Sequence, residues 1–365
     1  MNQKQFYQWL EEIRKRFPSL KKWQATGLAM MSYGIIKSRN SQASLIAEEL
    51  PEFGKASTVE RRIQRWIANP RINVEEVTQS WAQWVLENYH AQELYLLVDE
   101  TKISDRIGCM MLSIAVEKRA IPLKWRCYRA NSSTDYPSEG QVALILDMLK
   151  KVLSVVPEGK TVIVEADRGI GNSSKLMQGV SELGAYFLFR LTSDVVLTTE
   201  AQGALHLKQI ARRGEVWHGQ GTLFTKKGRT LECRVHILWE EDQDEPWCLA
   251  TNLPTLNGEE YAFRVWQEES FRDLKSGGWQ WQKSLTRNPE ITERRLLAMV
   301  LAYTWCVTLG LLFASMDEKV RQAVDYIRGR RKYGVFRMGL RFFKRYLYLD
   351  PAQIPLQIGP FPPAA

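Results

Sequence analysis

The stretch 94-LYLLVDETKI-103 is apolar almost without a break and then turns acidic. A run of this length, rich in Leu, Val, Tyr and Ile, reads as a buried strand that delivers a carboxylate at Asp99. The pattern repeats downstream. The segments 109-CMMLSIAVEKR-119 and 121-IPLKWRCYR-129 read as partner strands, 138-SEGQVALILDMLKKVLSVV-156 as an amphipathic helix, and 161-TVIVEADRG-169 as a second buried strand ending at Asp167. A helix at 173–183 and a strand at 185-AYFLFRL-191 follow. Three strands, helix, strand, helix, strand is an α/β order. It places Asp99 and Asp167 near the carboxyl ends of strands, where α/β sheets hold their ligands.

Outward from this core the texture changes on both sides. Residues 193–253 give 195-VVLTT-199, 222-TLFTK-226, 230-TLECRVHILW-239 and 247-WCLATNL-253, separated by Gly-rich turns and the acidic 240-EEDQDE-245. This mostly β segment reads as an insertion into one domain. Residues 1–90 are helical and basic, with 41-SQASLIAEEL-50, a break at Pro51 and Gly54, then 57-STVERRIQRWIAN-69, where Ser57 and Glu60 are spaced as a capping box. Two readings stay open for that pair. One is a helix-turn-helix presenting Arg61, Arg62 and Arg65 to DNA, and the other is a helical hairpin with a solvated basic face. Residues 254–315 return to helix, and 316–365 form a basic helical tail.

The chain has 365 residues and a formal net charge of +9. Such an excess favours an anionic partner, nucleic acid being the commonest, against the plainer alternative of a merely basic enzyme. Five scattered cysteines without a C-x-x-C pair do not make a disulfide framework, and the start has no apolar core of a signal peptide. A cytoplasmic location fits, and the N-x-S matches at Asn131 and Asn172 then carry no meaning. The charge-free run 296-LLAMVLAYTWCVTLGLLFA-314 is read as a core helix rather than a membrane span. The four histidines lack zinc-site spacing, and no Walker A loop follows Gly169 and Gly171.

One helical segment, 261-YAFRVWQEESFRDLK-275, places Tyr261, Arg264, Glu268 and Lys275 at steps of three, four and seven, a single stripe on an α-helix. The stripe either neutralises the protein's own acids or clamps phosphates. On the clamp reading, replacing Arg264 or Lys275 spares the free protein. Asp99, Asp167 and Glu268 are each placed where they can enter one cleft, and carboxylates brought together resist ionising unless cations neutralise them. Hard divalent ions, Mg²⁺ or Mn²⁺, suit such a site, and two of them about 4 Å apart support in-line displacement at phosphorus. Trp247 has two readings, a core ring or a platform for a base displaced at a cut end.

With these residues in place, the chain resembles the DDE transposases of bacterial insertion sequences. Within them it is similar to insertion sequence family four, whose signature is Y-(2)-R-(3)-E-(6)-K. Tyr261, Arg264, Glu268 and Lys275 match every step, and Glu268 rather than the adjacent Glu269 has the required spacing on both sides. The motifs 96-LLVDETKI-103 and 164-VEADRGIG-171 are similar to the family's two Asp motifs, and 247-WCLATNL-253 to the strand closing its β insertion. The Trp247 to Tyr261 spacing is tighter than in well-known members.

Over residues 91 to 285 the resemblance implies an RNase H-like core, in parts 91–192 and 254–315, interrupted by the β insertion 193–253. It implies a triad of Asp99, Asp167 and Glu268 holding divalent metal, with Tyr261, Arg264 and Lys275 on terminal phosphates. It also implies cut-and-paste movement of an element with inverted terminal repeats, by a homodimer acting on double-stranded DNA at the nucleoid. Two other functions remain on the residues alone: an RNase H-like nuclease or resolvase that cleaves without joining, and a DNA-binding regulator derived from a transposase.

Overall fold

A computed structural model describes residues 3–130, 139–201, 203–224, 228–322, 324–327 and 330–364. Asn131, the start of the helix expected from 138, and the last two residues of the strand expected at 222–226 lie outside the described residues.

The N-terminal part is helical: α1 (Gln3–Arg16), α2 (Lys22–Ser38), α3 (Ala43–Glu48), α4 (Ala56–Ile67) and α5 (Val74–Glu87). Helix α2 is buried along most of its length, whereas α4 has two faces. Val59, Ile63, Trp66 and Ile67 of α4 point inward at helical spacing, and the Trp66 indole N–H donates to the Gln24 carbonyl at 2.8 Å. A single 3₁₀ turn, Pro51–Phe53, joins α3 to α4. The expected Ser57 and Glu60 capping box is not formed. The helix begins at Ala56 after Lys55, so Ser57 already lies inside the first turn, and Glu60 accepts from the Gln64 amide at 2.9 Å instead.

The core follows with β1 (Glu93–Ser104), β2 (Ile107–Val116), β3 (Arg119–Arg129), α6 (Gly140–Leu153), β4 (Thr161–Ala166), α7 (Arg168–Gly171), α8 (Ser174–Glu182) and β5 (Tyr186–Leu191). Next come β6 (Val196–Thr199), β7 (Gly203–His206), β8 (Val216–Leu223), β9 (Leu231–Leu238) and β10 (Trp247–Thr251). Among the described residues these strands form one ten-stranded sheet in the order β3-β2-β1-β4-β5-β10-β9-β8-β6-β7. Strand β1 is antiparallel to β2 but parallel to β4, and β4 is parallel to β5. Its sequence explains the place. Leu94, Leu96 and Val98 enter the large core on one face while Tyr95 and Leu97 enter a smaller core on the other, and a strand covered on both faces reads as continuously apolar. The molecule is a mixed α/β fold with a large sheet, consistent with an RNase H-like core.

Strands β7 and the first part of β8 were not expected. The β8 residues 216-VWHGQG-221 are largely exposed and contain two glycines, so they lack an apolar strand pattern. Gly221 is required by packing: a Cβ there would stand 2.5 Å from the Thr198 carbonyl oxygen on β6.

The chain then forms α9 (Arg264–Leu274), α10 (Pro289–Ala314), α11 (Glu318–Gln322) and α12 (Val335–Leu349). Helix α10 is long and apolar enough to cross a membrane, but 89% of its most apolar window is buried inside the fold. Each fully buried Leu or Phe side chain contributes about 1.5–3 kcal/mol to keeping it there. Helices α10 and α12 touch backbone to backbone through glycines. A Cβ at Gly339 would lie 1.7 Å from the Cys306 carbonyl oxygen, and one at Gly310 would lie 2.0 Å from that of Val335. The five cysteines are buried and unpaired.

Candidate active site

Strands β1 and β4 run side by side until Val98 faces Ala166, and the next residue on each is an aspartate. Asp99 continues along β1, 7% exposed, while Asp167 leaves the sheet as the N-cap of α7, accepting from the Ile170 N–H at 3.0 Å. The register therefore brings the two aspartates to the point where the parallel pairing of β1 and β4 ends, which is the carboxyl end of β4 but, against expectation, the middle of β1, whose pairing with β2 continues to Ser104. Helix α9 supplies the third acid. It packs on β3 and β1, with the Ser270 hydroxyl accepting the Ala120 N–H at 2.7 Å.

All three acids meet the same cation. Arg264 Nη2 lies 3.1 Å from Asp99 Oδ2 and 3.6 Å from Asp167 Oδ2, and Arg264 Nη1 lies 3.2 Å from Glu268 Oε1. Burial alone would lower the Arg264 pKa, but Asp99, Tyr261, Asp167 and Glu268 outweigh it and hold the guanidinium charged. Burial pushes Asp99 up to about 6 against the pull of Arg264 and the Glu100 N–H, with Asp167 and Glu268 adding repulsion. Arg264 thus does what a metal would do for these acids. Among the described residues no three acidic, histidine or cysteine side chains are close enough to share an ion, because the acids surround the guanidinium.

Lys275 caps the far end of α9 and donates from Nζ to Thr101 Oγ1 at 2.5 Å, two residues from Asp99 on the same face of β1. Burial lowers its pKa, while Cys109 and Asp99 oppose the shift. Glu269 turns the other way, 2.7 Å from Arg272 and 3.8 Å from Arg119, whose Nε also holds Asp273 at 2.7 Å. The geometry therefore separates the two adjacent glutamates: Glu268 faces the aspartates and Glu269 belongs to a structural ion network.

The expected stripe on one helix needs correction. Tyr261 lies in a separate 3₁₀ segment, Glu259–Phe263, and only Arg264 to Leu274 is α-helical. Its ring is 4% exposed and packs edge-on against Trp247 at 5.1 Å, within the smaller core that also holds Leu249, Leu253 and Leu256. Burial raises the Tyr261 pKa, and Trp247 is half-buried against this core. In this structure the Arg264 guanidinium is engaged by the protein's own acids. Arg61, Arg62 and Arg65 lie exposed on the outer face of α4.

Sequence reasoning passed over Glu165. It is fully buried on β4, two residues before Asp167, and neither carboxylate oxygen has a hydrogen-bond partner among the described residues. Burial raises its pKa well above the usual range, with Glu260 adding and Arg264 opposing. An acid inside the apolar run TVIVEA was the available signal. Gln267, also fully buried, has its amide in the same condition.

The family model described as the transposase DDE domain matches residues 92–305, which contain β1, β4, α9 and all three acids. No curated protein matches the chain. Among solved structures, the crystal structure of human ENDOV covers 61% of this chain and 93% of its own at 13% identity and a TM-score of 0.26, too distant to inform the site. With more than half of the chain matched and Asp99, Asp167 and Glu268 gathered from three elements, the protein belongs to the DDE transposases and is a metal-dependent DNA phosphoryl transferase.

Proposed function

We propose that this chain is a cut-and-paste transposase of the insertion sequence family four type, which binds the inverted terminal repeats of its own element, cleaves there and joins the freed 3′-hydroxyl to target DNA. The observation that supports this most is the convergence of Asp99, Asp167 and Glu268 on one cationic centre. Their chemistry fits a hard divalent ion, since carboxylate oxygens are the donors that Mg²⁺ and Mn²⁺ prefer. When bound as a pair, such ions supply stabilisation of the attacking and leaving oxygens of an in-line displacement.

The chain's own residues do the positioning. Arg264 and Lys275, both tied to β1 before DNA arrives, exchange those partners for terminal phosphates, and Arg264 leaves the acids free to hold metal. A guanidinium suits the exchange because it grips two phosphate oxygens in a fork. Tyr261 and Trp247 support the start of α9 from below. Arg61, Arg62 and Arg65 contact the element ends from α4, the segment 193–253 is the family's β insertion, and a homodimer pairs the two ends at the nucleoid. The test supplies precut element ends, Mg²⁺ and a target plasmid. Joined products are expected, and cleavage of uncut ends in a parallel reaction without joining of the precut ones would return the protein to the nuclease reading.

A further inference from the structure

Helix α12 carries Arg337, Arg341 and Arg345 exposed at steps of four, so they form a stripe with successive side chains about 6 Å apart along the axis. The opposite face, with Phe336, Met338, Leu340, Phe342 and Phe343, is buried. An ordinary solvated helix would interleave acids at these steps to form i,i+4 pairs, because like charges there are destabilising. Here none of the three arginines comes within 4 Å of a described carboxylate, Asp273 attracting Arg337 only at longer range. Arg341 donates from Nε to the Val324 carbonyl at 2.9 Å and lies over the Tyr333 ring at 4.7 Å, which fixes its position without neutralising it.

The stripe is also concentrated by a neighbour. Arg39, at the end of α2, has its pKa lowered by burial and then by Arg341 and Arg337, and Lys344 is lowered by burial and then by Arg39, with Glu49 opposing. Arg337, Arg341 and Lys344 thus each repel Arg39 on one surface, an arrangement that an anion relieves. The position of α12 says which anion. At its start, Phe336 packs against Trp279 at 5.1 Å, and the Trp279 N–H bonds to the Asp273 carbonyl of α9 at 3.1 Å. Towards its end, Phe343 packs against Tyr33 of α2 at 6.1 Å. The stripe therefore runs from behind the catalytic helix towards the N-terminal helices, and a linear polyanion is what such a path fits.

We propose that Arg337, Arg341 and Arg345 of α12, with Arg39, hold the sugar-phosphate backbone of duplex DNA along the surface that runs from the back of α9 to the N-terminal helices. The inference rests on the DNA-acting family and not on transposition. Its contacts are to phosphates, so they contribute affinity without reading sequence.

The test is equilibrium binding of the full chain to a non-specific duplex across a salt series. Arg337→Gln with Arg345→Gln leaves the packed Arg341 in place and should flatten the slope of log K against log salt by about 1.8. Between about 50 and 200 mM salt the wild-type protein should therefore lose roughly twelvefold more affinity than the double variant. Arg337→Lys with Arg345→Lys should keep the wild-type slope, since lysine still meets a phosphate as a point charge, and it serves as the test should the Gln variant melt early. A folded Gln variant with the wild-type slope would overturn the proposal, as would a Lys variant with a flattened one. So would loss of binding to anionic phospholipid vesicles with DNA binding unchanged. Metal-dependent cleavage by the wild-type chain, assayed separately, decides the transposase reading whichever way the slopes fall.

Discussion

Arg264 and Asp99 meet at 3.1 Å where α9 crosses β1, so one candidate metal-binding acid is paired with a residue four positions before another, Glu268. In the absence of metal, Arg264→Ala leaves three facing carboxylates without their cation. The variant should be destabilised by about 3 kcal/mol, the usual cost of breaking a buried pair from one side. Millimolar Mg²⁺ should narrow that gap by taking the guanidinium's place. Urea unfolding in chelator and in Mg²⁺ reads both, and equal stability of the two proteins in chelator would refute the counter-ion role.

Asp99→Ala, Asp167→Ala and Glu268→Ala should each reduce Mg²⁺-dependent cleavage by roughly a thousandfold or more, since metal sites supply several kcal/mol of transition-state stabilisation. Binding to element ends should survive. Glu269→Ala should cleave within a few-fold of wild type, because its partners are Arg119 and Arg272. A dead Glu269→Ala beside an active Glu268→Ala would reverse the assignment.

Asp273 offers a test by pH. Burial pushes its carboxyl up to about 6 against the pull of Arg119 and Arg337, with Glu269 raising it further and the Tyr303 phenol close by. The unfolded chain holds that proton only to about pH 3.9. The folded state therefore binds more protons between these values, and the contribution present at low pH is lost as pH rises through about 6. The wild-type lead over Asp273→Asn should shrink by on the order of 2 kcal/mol between about pH 4 and pH 7, followed by denaturant unfolding at each pH. A lead that holds constant or grows would contradict the assigned shift.

On α4, the combined Arg61→Ala, Arg62→Ala and Arg65→Ala variant should bind element ends with a salt slope shallower by about one for each phosphate left without its arginine. Fluorescence anisotropy over a salt series measures it. Unchanged affinity and slope would leave α4 as a helical hairpin with a solvated basic face.

Much of this was legible in the chain itself because burial leaves a direct trace in residue type. The apolar runs around Leu96 and Val164 marked central strands, and the step from Arg264 to Glu268 marked one face of a helix, Lys275 falling just past its end. Other features depend on the third dimension. Nothing local shows that Arg264 would reach two strands as well as its own helix, or that Tyr261 would turn into the small core against Trp247. The first part of strand β8 escaped because its exposed residues and glycines carry no pattern of burial, its identity coming from its neighbour β9. The capping box at Ser57 misled because its spacing was right but the helix had already begun.

The glycine contact between α10 and α12 has a consequence for variation in this protein. With Gly339 against Cys306 and Gly310 against Val335, a slip of α12 by one residue along its partner would drive a side chain into a carbonyl. The helix is thereby indexed to a single rotational phase, like a gear held by one tooth. Substitution on its outer surface leaves this packing intact, yet a donor helix grafted from a relative would be accepted only with glycine at the matching position. Diversity at the C-terminal surface is confined to residue identity and excluded from orientation.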